Sequence, residues 1–354
     1  MSMPSRLAAE APPAISVRSD VSAQAWDEYV ARRAEASVYH LASWAGLIER
    51  VFRHRTRYLA ALAGGEIVGV LPVVLFSTPL FGRFATSMPF VNYGGIVADS
   101  REAAAALLAG AVRDTQDAKG AYLELRHTRR MFEDLPVQTH KVEMVLPLQH
   151  SVEEQWRVLD RKLRNQVRKA EKSGLTVRRG GAELLDGFHD VLARNMRDLG
   201  SPVHSKRFFA DILATFADRT QLLCVSLGST PVAASLLIWH GARIEVPWAS
   251  ALRAHNPLCP NVLLYWEMLK FSIEQRFEQF DFGRSTPHEG TFNFKQQWGA
   301  QPQQLYWEYW LNQGRGLPDR SPKNPKFAAV ISAWRKLPLA VTRAVGPSIV
   351  RGIP

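Results

Sequence analysis

The feature that most constrains the fold is an arrangement that occurs twice along the 354-residue chain. Two apolar runs flank a Gly64-Gly65 turn between residues 58 and 76, and the pattern returns around Gly228-Ser229 between residues 222 and 240. Apolar runs joined by a short glycine-containing turn are typical of β-hairpins. A further strand, an alanine- or leucine-rich helix and another strand follow each hairpin. The sequence therefore predicts two similar α+β units.

The repeated order also predicts where the units divide. Helices are expected at about residues 100–117 and 261–275, each followed by a strand, with Glu124 and Asp281 in equivalent positions. Each unit should form a twisted, mostly antiparallel sheet flanked by helices. The boundary falls near Ser151, which can cap a helix with Glu154 three residues later. The predicted organisation is a disordered leader (1–15), an N-terminal domain (16–150), a C-terminal domain (151–313) and a basic amphipathic tail (314–354).

Positive charge is concentrated in two segments. The chain carries a net charge of +11, of which residues 151–180 contribute +5 and residues 315–354 contribute +7. Such clustering indicates an anionic partner: a nucleic acid, an anionic membrane or a phosphorylated small substrate. Arg164, Arg168 and Lys172 recur every four residues, so they share one helix face and are candidates for substrate binding. An ordinary solvated face explains the same spacing equally well.

The tail repeats apolar residues at three- and four-residue steps through Phe327, Val330, Ile331, Trp334 and Leu337, with basic residues among them. This pattern predicts an amphipathic basic helix. Its apolar face is expected to dock on the protein body; the alternative is peripheral contact with an anionic membrane. No apolar stretch of about 18 residues and no signal peptide is evident, so a cytoplasmic location is expected, with the inner membrane face as the peripheral alternative.

Several chemistries lack their motifs. Cys224 and Cys259 have neither metal-ligand spacing nor the pattern of a disulfide framework, and no hydrolase elbow, zinc-binding helix or P-loop occurs. No metal site and no bound cofactor are therefore expected.

Functional residues are expected above all in residues 280–300, where the strand end FDFG opens into a polar loop and then reaches Phe294-Lys295. The run Phe294-Lys295-Gln296-Gln297-Trp298-Gly299 resembles the Phe-Lys-x-x-aromatic-Gly motif of the FemABX-like aminoacyltransferases, which are related to the GNAT acetyltransferases. Together with NQVRKAEKSGL, NMRDLGSPVHSKRFF, LLYWEMLKFSIEQ and FDFGRSTP, it is most similar to FemAB-type proteins of exosortase and exopolysaccharide systems. The resemblance spans roughly residues 17–310.

This resemblance implies two tandem GNAT-like domains and acyl transfer in a groove. Lys295 is then the residue that stabilises a developing oxyanion or holds a phosphate, and as a groove lysine its replacement by Met should alter stability by less than about 1 kcal/mol. Asp281 could orient the acceptor or take its proton, although a hydrogen-bond anchor for its own loop ranks slightly ahead. The further substrate-binding candidates are Arg197, His204, Arg284 and Trp298, with Asn92 and Tyr93 of the first unit as weaker ones.

The resemblance leaves donor and acceptor open. The donor is an aminoacyl-tRNA or an acyl thioester, and the acceptor is an anionic small molecule or a lipid-linked saccharide of the cell envelope, peptidoglycan or exopolysaccharide. The usual GNAT pyrophosphate loop is replaced by RAHNPLCPN, whose Pro257 and Pro260 lack backbone N–H donors. This replacement argues against coenzyme A as the carrier of the acyl group. The alternatives are an N-acyltransferase using acyl-CoA or acyl carrier protein, and a non-catalytic binding protein of a polysaccharide assembly system. The sequence leaves the oligomeric state undetermined.

Overall fold

The structure is a computed structural model that describes residues 14–79, 81–318 and 325–354. Almost all of the predicted leader, and the linker at residues 319–324, lie outside the described residues. The described chain forms two mostly antiparallel sheets with helices packed against them. The predicted α+β class with two mostly antiparallel sheets flanked by helices is confirmed.

The first sheet has the strand order β1-β2-β3-β4-β6-β15-β7, with β5 paired to β3. Its strands are β1 (Ile15–Arg18), β2 (Arg55–Ala63), β3 (Glu66–Thr78), β4 (Gly82–Ser87), β5 (Val97–Ala98), β6 (Tyr122–His127), β7 (Val137–Gln138) and β15 (Tyr306–Leu311). The helices of this half are α1 (Ala23–Ala31), α2 (Ser43–Phe52) and α3 (Arg101–Asp117).

The second sheet has the strand order β14-β8-β13-β12-β11-β10-β9. Its strands are β8 (Val142–Pro147), β9 (Leu175–Gly180), β10 (Thr220–Leu227), β11 (Thr230–His240), β12 (Arg243–Ala251), β13 (Gln279–Ser285) and β14 (Gln301–Gln304). The helices that follow the first half are α4 (Val152–Val158), α5 (Arg161–Glu171), α6 (Leu185–Leu199), α7 (Lys206–Thr215), α8 (Pro260–Glu274), α9 (Gly290–Gln296), α10 (Pro325–Lys336) and α11 (Leu339–Val350).

Each sheet contains one parallel pair, β4 with β6 and β12 with β13. Parallel neighbours need a crossover connection, and α3 and α8 supply it. Ser100 caps α3 by accepting a hydrogen bond from the Ala103 amide, which is why that helix begins where it does. The repeated order of hairpin, strand, helix and strand thus produces two sheets of the same design.

The two sheets exchange strands. β8 precedes the predicted boundary near residue 150 but pairs with β13 and β14 of the second sheet, whereas β15 returns to pair with β6 and β7 of the first. A continuous apolar core also joins the halves, since Trp44 of α2 stacks on Phe216 at a ring distance of 5.0 Å. The sheets therefore do not divide at residue 150, and the division into domains stays a prediction.

The C-terminal helices dock on the second half. Trp334 is buried and donates its indole N–H to the Ser201 carbonyl at 3.1 Å, and Ile331 packs against Gly200. Arg343 forms an ion pair with Asp190 of α6. The apolar face predicted through Ile331 and Trp334 is thus turned toward the body, while Val330 is exposed. Within the described ranges, no helix combines the length and the apolarity needed to cross a membrane.

Candidate active site

A cavity of about 550 Å³ lies between the two halves of the chain. Its lining comes from both, with residues 31–38 following α1 and residues 238–243 at the β11–β12 turn. Tyr93, Glu143 and Glu245 also line it. Cavities of this size between packed units are the usual places for small ligands.

A second cavity of about 380 Å³ adjoins the first, because Ala31, His240 and Gly241 line both. Its other polar lining residues are Asp27, Ser43, Thr215, Asp218 and Arg219. The two cavities are therefore neighbours at the junction of the halves.

Three neighbouring strands bring three carboxylates together beside the larger cavity. Glu245 on β12 lies directly opposite Asp281 on β13, and Glu143 comes from β8 on the other side of β13. The exposed fractions of Asp281, Glu143 and Glu245 are 0%, 1% and 3%. Buried carboxylates of this kind need partners or a bound proton.

A single arginine serves this acid cluster. Arg243 donates from Nη2 to Glu143 Oε2 at 2.6 Å and to Asp281 Oδ2 at 2.7 Å. Among the described residues Glu245 has no ion pair, and its Oε1 accepts a hydrogen bond from the Asn92 side-chain amide. The cluster therefore holds more acidic groups than basic partners.

Two pKa values in this cluster are raised, mainly by burial. Burial, and then the charge of Asp281, raise the pKa values of Glu143 and Glu245 to about 8. The Tyr93 hydroxyl lies 2.8 Å from Asp281 Oδ2 and 3.0 Å from Glu245 Oε2. One hydroxyl hydrogen can serve only one of these carboxylates. A protonated Glu245 that donates to the Tyr93 oxygen, while Tyr93 donates to Asp281, satisfies all three groups.

Asn92 and Tyr93 reach this cluster from the first half because β12 and β13 stay paired over only three residues. The side chain of Asn92 lies where the two strands have separated, beside Gly283. A Cβ on Gly283 would lie 2.9 Å from Asn92 Nδ2, and Gly283 has a φ of +73°, so a side chain there is doubly disfavoured. The structure thus joins the weaker candidates Asn92 and Tyr93 to Asp281.

Asp281 lies beneath the cavity lining. Besides Arg243 and Tyr93, it accepts a hydrogen bond from the Gly283 amide at 2.7 Å. All of these contacts hold the backbone after Asp281 and the neighbouring side chains in place, as expected of a hydrogen-bond anchor rather than of a residue that contacts the acceptor.

Lys295 is buried rather than exposed in a groove. Its Nζ donates to the Gly283 carbonyl at 2.9 Å and to the Arg284 carbonyl at 3.0 Å, and these bonds hold α9 against the end of β13. Burial lowers its pKa to about 8, although the charges of Asp281 and Glu245 oppose the shift. Removing the side chain would take this donor from two carbonyls, so we expect a stability cost larger than that of an exposed groove lysine.

Arg284 is the penultimate residue of β13 and is half-buried. Its guanidinium lies 5.2 Å from the Trp307 ring, and that of Arg126 lies 4.7 Å from the same ring. Burial and the charge of Arg126 lower the pKa of Arg284 to about 10. Within the described part of the chain it has no ion pair.

The other predicted site residues do not line the cavity. Arg164 and Arg168 lie on α5, where Arg168 stacks over Trp156 at 5.4 Å. Arg197 bonds its neighbour Asp198, and Trp298 is buried in the core of the second half. His204 packs among phenylalanines, and burial lowers its pKa to about 3.

Sequence reasoning missed Glu143, Arg243 and Glu245. Glu143 and Glu245 are charged residues inside the largely apolar runs VEMVLP and RIEVPW, and Arg243 is the first residue of the second run. A charge in a strand that is buried on both faces requires a partner, and this signal was available. Across the described residues no group of three or more His, Cys, Asp or Glu side chains is arranged to hold a metal ion.

Comparisons with known proteins bear on this site. A family model described as an acetyltransferase (GNAT) domain matches residues 158–296. That segment contains Arg243, Glu245, Asp281 and Lys295, whereas Glu143 and the Asn92-Tyr93 pair lie before it. No curated protein matches the sequence.

Three solved structures are similar over nearly their full length. FemX is 18% identical with a TM-score of 0.66, covering 84% of this chain and 98% of that chain. L-PGS from Bacillus licheniformis is 12% identical with a TM-score of 0.55, covering 85% and 91%. A tandem GNAT protein from the clavulanic acid biosynthesis pathway is 10% identical with a TM-score of 0.50, covering 86% and 100%. The chain therefore has a tandem GNAT-like fold, and its residues 158–296 match the GNAT acetyltransferase domain.

Proposed function

We propose that this protein is an acyltransferase that moves an aminoacyl or other acyl group onto an amine or hydroxyl of a cell-envelope or exopolysaccharide precursor. The observation that carries the proposal is the acid cluster beside the 550 Å³ cavity, in which Glu143 and Glu245 have pKa values near 8. The acid cluster lies in the second sheet, and strands β9 to β13 of that sheet fall within the residues that match the GNAT domain model. The FemAB-like motifs around Lys295 support the envelope precursor as acceptor.

The chemistry needs a base near neutrality. An amine or hydroxyl acceptor must lose a proton as it attacks the donor carbonyl, and a general base works best when its pKa lies near the working pH. Glu245 meets this condition at the cavity wall, with Tyr93 and Asn92 fixing its orientation. The proton passes from the acceptor to Glu245, and the acceptor nitrogen or oxygen forms a bond to the carbonyl carbon. The ester or thioester bond of the donor then breaks, and the released oxygen or sulfur takes up a proton.

The remaining groups have supporting roles. Asp281 is proposed as a positioning residue, since it holds Arg243 and Tyr93 and does not line the cavity. Lys295 does not line the cavity either, and two of its three N–H donors are used on carbonyls; the third is proposed to reach an oxyanion or phosphate. Arg284, half-buried and unpaired among the described residues, is proposed to receive an anionic group of the substrate.

Two observations favour a donor other than coenzyme A. At the start of α8, Pro260 has no N–H, and the amides of Val262 and Leu263 already donate to the Cys259 carbonyl, so few donors remain for a diphosphate. The second observation is that Asn92 occupies the gap beside Gly283 where β12 and β13 are no longer paired. An aminoacyl-tRNA fits better, because six cations of the α5 segment have no carboxylate partner among the described residues: Arg161, Lys162, Arg164, Arg168, Lys169 and Lys172. Transfer from acyl-CoA or acyl carrier protein is the second candidate.

A donor competition tests the proposal. Purified protein is mixed with saccharide envelope precursors and either aminoacyl-tRNA or acyl-CoA, and the products are followed by mass spectrometry. We expect product from aminoacyl-tRNA, with Arg164→Glu and Arg168→Glu together weakening donor binding and flattening its salt dependence. Product from acyl-CoA alone would select the second candidate. Binding without turnover in either mixture would indicate a non-catalytic binding protein.

A further inference from the structure

The C-terminal helices α10 and α11 have two faces, and one of them contacts the protein body. Thr342, Gly346 and Val350 are buried on the inner side of α11. The opposite side of α11 is exposed and carries no charge. Its members, spaced as one helix face, are Ala340, Val341, Ala344, Val345, Ser348 and Ile349.

The exposed part of α10 has the same character. Between residues 328 and 333 the exposed side chains are Ala328, Ala329, Val330, Ser332 and Ala333. We call these residues and those of α11 the outer face. The surface of α5, by contrast, exposes Arg161, Lys162, Arg168 and Lys169, as expected of a solvated helix. Val330, Val341, Val345 and Ile349 are large apolar side chains exposed on two successive helices, and clustered exposed apolar side chains are typical of surfaces that contact a partner or a membrane.

The charges of the C-terminal segment itself have one sign. From residue 320 to the C-terminus the sequence contains no Asp or Glu. Lys336 stands at the turn between the helices and Arg351 follows the end of α11, and both are exposed, whereas Arg335 donates to the Leu199 carbonyl at 3.2 Å. The only acidic partner of this segment among the described residues is Asp190, which pairs with Arg343. A small-residue apolar face with cations at its rim complements an anionic lipid surface.

We propose that the outer face lies on an anionic membrane, with its valine and isoleucine side chains at the boundary of the acyl chains and its rim cations on the lipid phosphates. The face is shallow and lacks aromatic residues, so binding is peripheral and reversible. The proposal assigns to the membrane a different face from the Ile331–Trp334 stripe of the sequence pattern, because that stripe is occupied by the body. It does not depend on the proposed enzymatic function.

Vesicle flotation of the full-length protein tests the proposal. Neutral phosphatidylcholine vesicles are compared with vesicles that contain about one third phosphatidylglycerol. The test variant is Val345→Glu, at a position that is 44% exposed, and the matched control is Val158→Glu on α4, which is 62% exposed. A second variant combines Lys336→Glu with Arg351→Glu. Circular dichroism checks that each variant is folded, and light scattering measures its oligomeric state.

We expect full-length protein and Val158→Glu to float with the anionic vesicles and not with the neutral ones. Val345→Glu should bind at least about tenfold more weakly than the full-length wild type. The variant with Lys336→Glu and Arg351→Glu should also bind more weakly, because its reversed charges are repelled by the negative surface potential of the vesicles. Equal flotation of Val345→Glu and the control would overturn the proposal. A dimer that Val345→Glu dissociates, without any binding to vesicles, would also overturn it, since a second copy of the chain would then cover the face.

Discussion

The two parallel strand pairs have the same framework but differ in their balance of acidic and basic side chains. In the first sheet Glu124 on β6 accepts from Arg126 Nε at 2.8 Å and from the Tyr309 hydroxyl at 3.0 Å, so one acid meets one base. In the second sheet the equivalent Asp281 shares Arg243 with Glu143, and Glu245 adds a third carboxylate. The first arrangement is matched, and the second has a surplus of acid.

The surroundings of the two pairs differ in the same direction. Near the first pair the cavity bounded by Arg126 and His127 is only about 20 Å³, whereas the cavity beside Glu245 is about 550 Å³. Burial alone would raise the pKa of Glu308 there, but hydrogen bonds from His127 and two backbone amides lower it. A closed, charge-matched strand pair is suited to stability, and an open pair with surplus acid is suited to proton transfer.

Replacing Glu245 by Gln should give the largest effect. The amide keeps the acceptor for Asn92 and can donate to the Tyr93 oxygen as a protonated Glu245 does, so the fold is preserved. It cannot accept a proton, and loss of a general base costs about 10²- to 10⁴-fold in rate. Transfer measured under single turnover should fall by at least about 100-fold.

Glu124→Gln is the matched control in the first sheet. It leaves the buried Arg126 without its carboxylate, so the free energy of unfolding should fall by about 3 to 5 kcal/mol. The rate per folded molecule should stay close to that of the wild type. Urea denaturation and turnover of the two variants check the comparison, and it fails if Glu124→Gln loses turnover while Glu245→Gln keeps it.

The pH dependence of stability should separate the same two variants. The folded-state pKa of Glu245 lies above its ordinary value, so its contribution to stability is present below about pH 4.5 and is lost as pH rises through about 8. Wild type should therefore lose stability relative to Glu245→Gln over that window, by on the order of 1 kcal/mol per pH unit. Comparing the two proteins cancels the histidines that titrate in the same range. Parallel stability profiles would contradict the raised pKa.

Lys295→Met should lower the free energy of unfolding by less than Glu124→Gln does. The change leaves the Gly283 and Arg284 carbonyls without a donor, which costs about 1 to 3 kcal/mol in the free energy of unfolding. Transfer should be lost if the third N–H of Lys295 meets an oxyanion. Thermal denaturation and turnover of folded protein measure the two effects separately, and full turnover in Lys295→Met would remove Lys295 from the chemistry.

The fold could be predicted because its signals are local. The glycine turns, the apolar runs and the capped helices lie within short stretches, and their order occurs twice. The exchange of β8 and β15 between the sheets could not be predicted, because it depends on pairing between distant segments such as β15 with β6. Periodicity reports which face is apolar and carries no information about which sheet a strand joins.

The candidate site was predicted in part for the same reason. Asp281, Asn92 and Tyr93 stand beside glycines at strand ends or loops, where local sequence points to a ligand. Glu143 and Glu245 are about 100 residues apart and become meaningful only once β8, β13 and β12 lie side by side. Lys295 was found by its motif, but its burial depends on how α9 packs against β13.

The most direct test of the central claim is the pH profile of kcat/KM for acyl transfer. If Glu245 is the base, kcat/KM should rise with pH up to about pH 8 as Glu245 loses its proton, and should stop rising above that pH as Lys295 loses its charge; Glu124→Gln should show the same rise. Glu245→Gln should give a low rate without that rise. A Glu245→Gln enzyme that keeps both the wild-type rate and its pH profile would contradict the account.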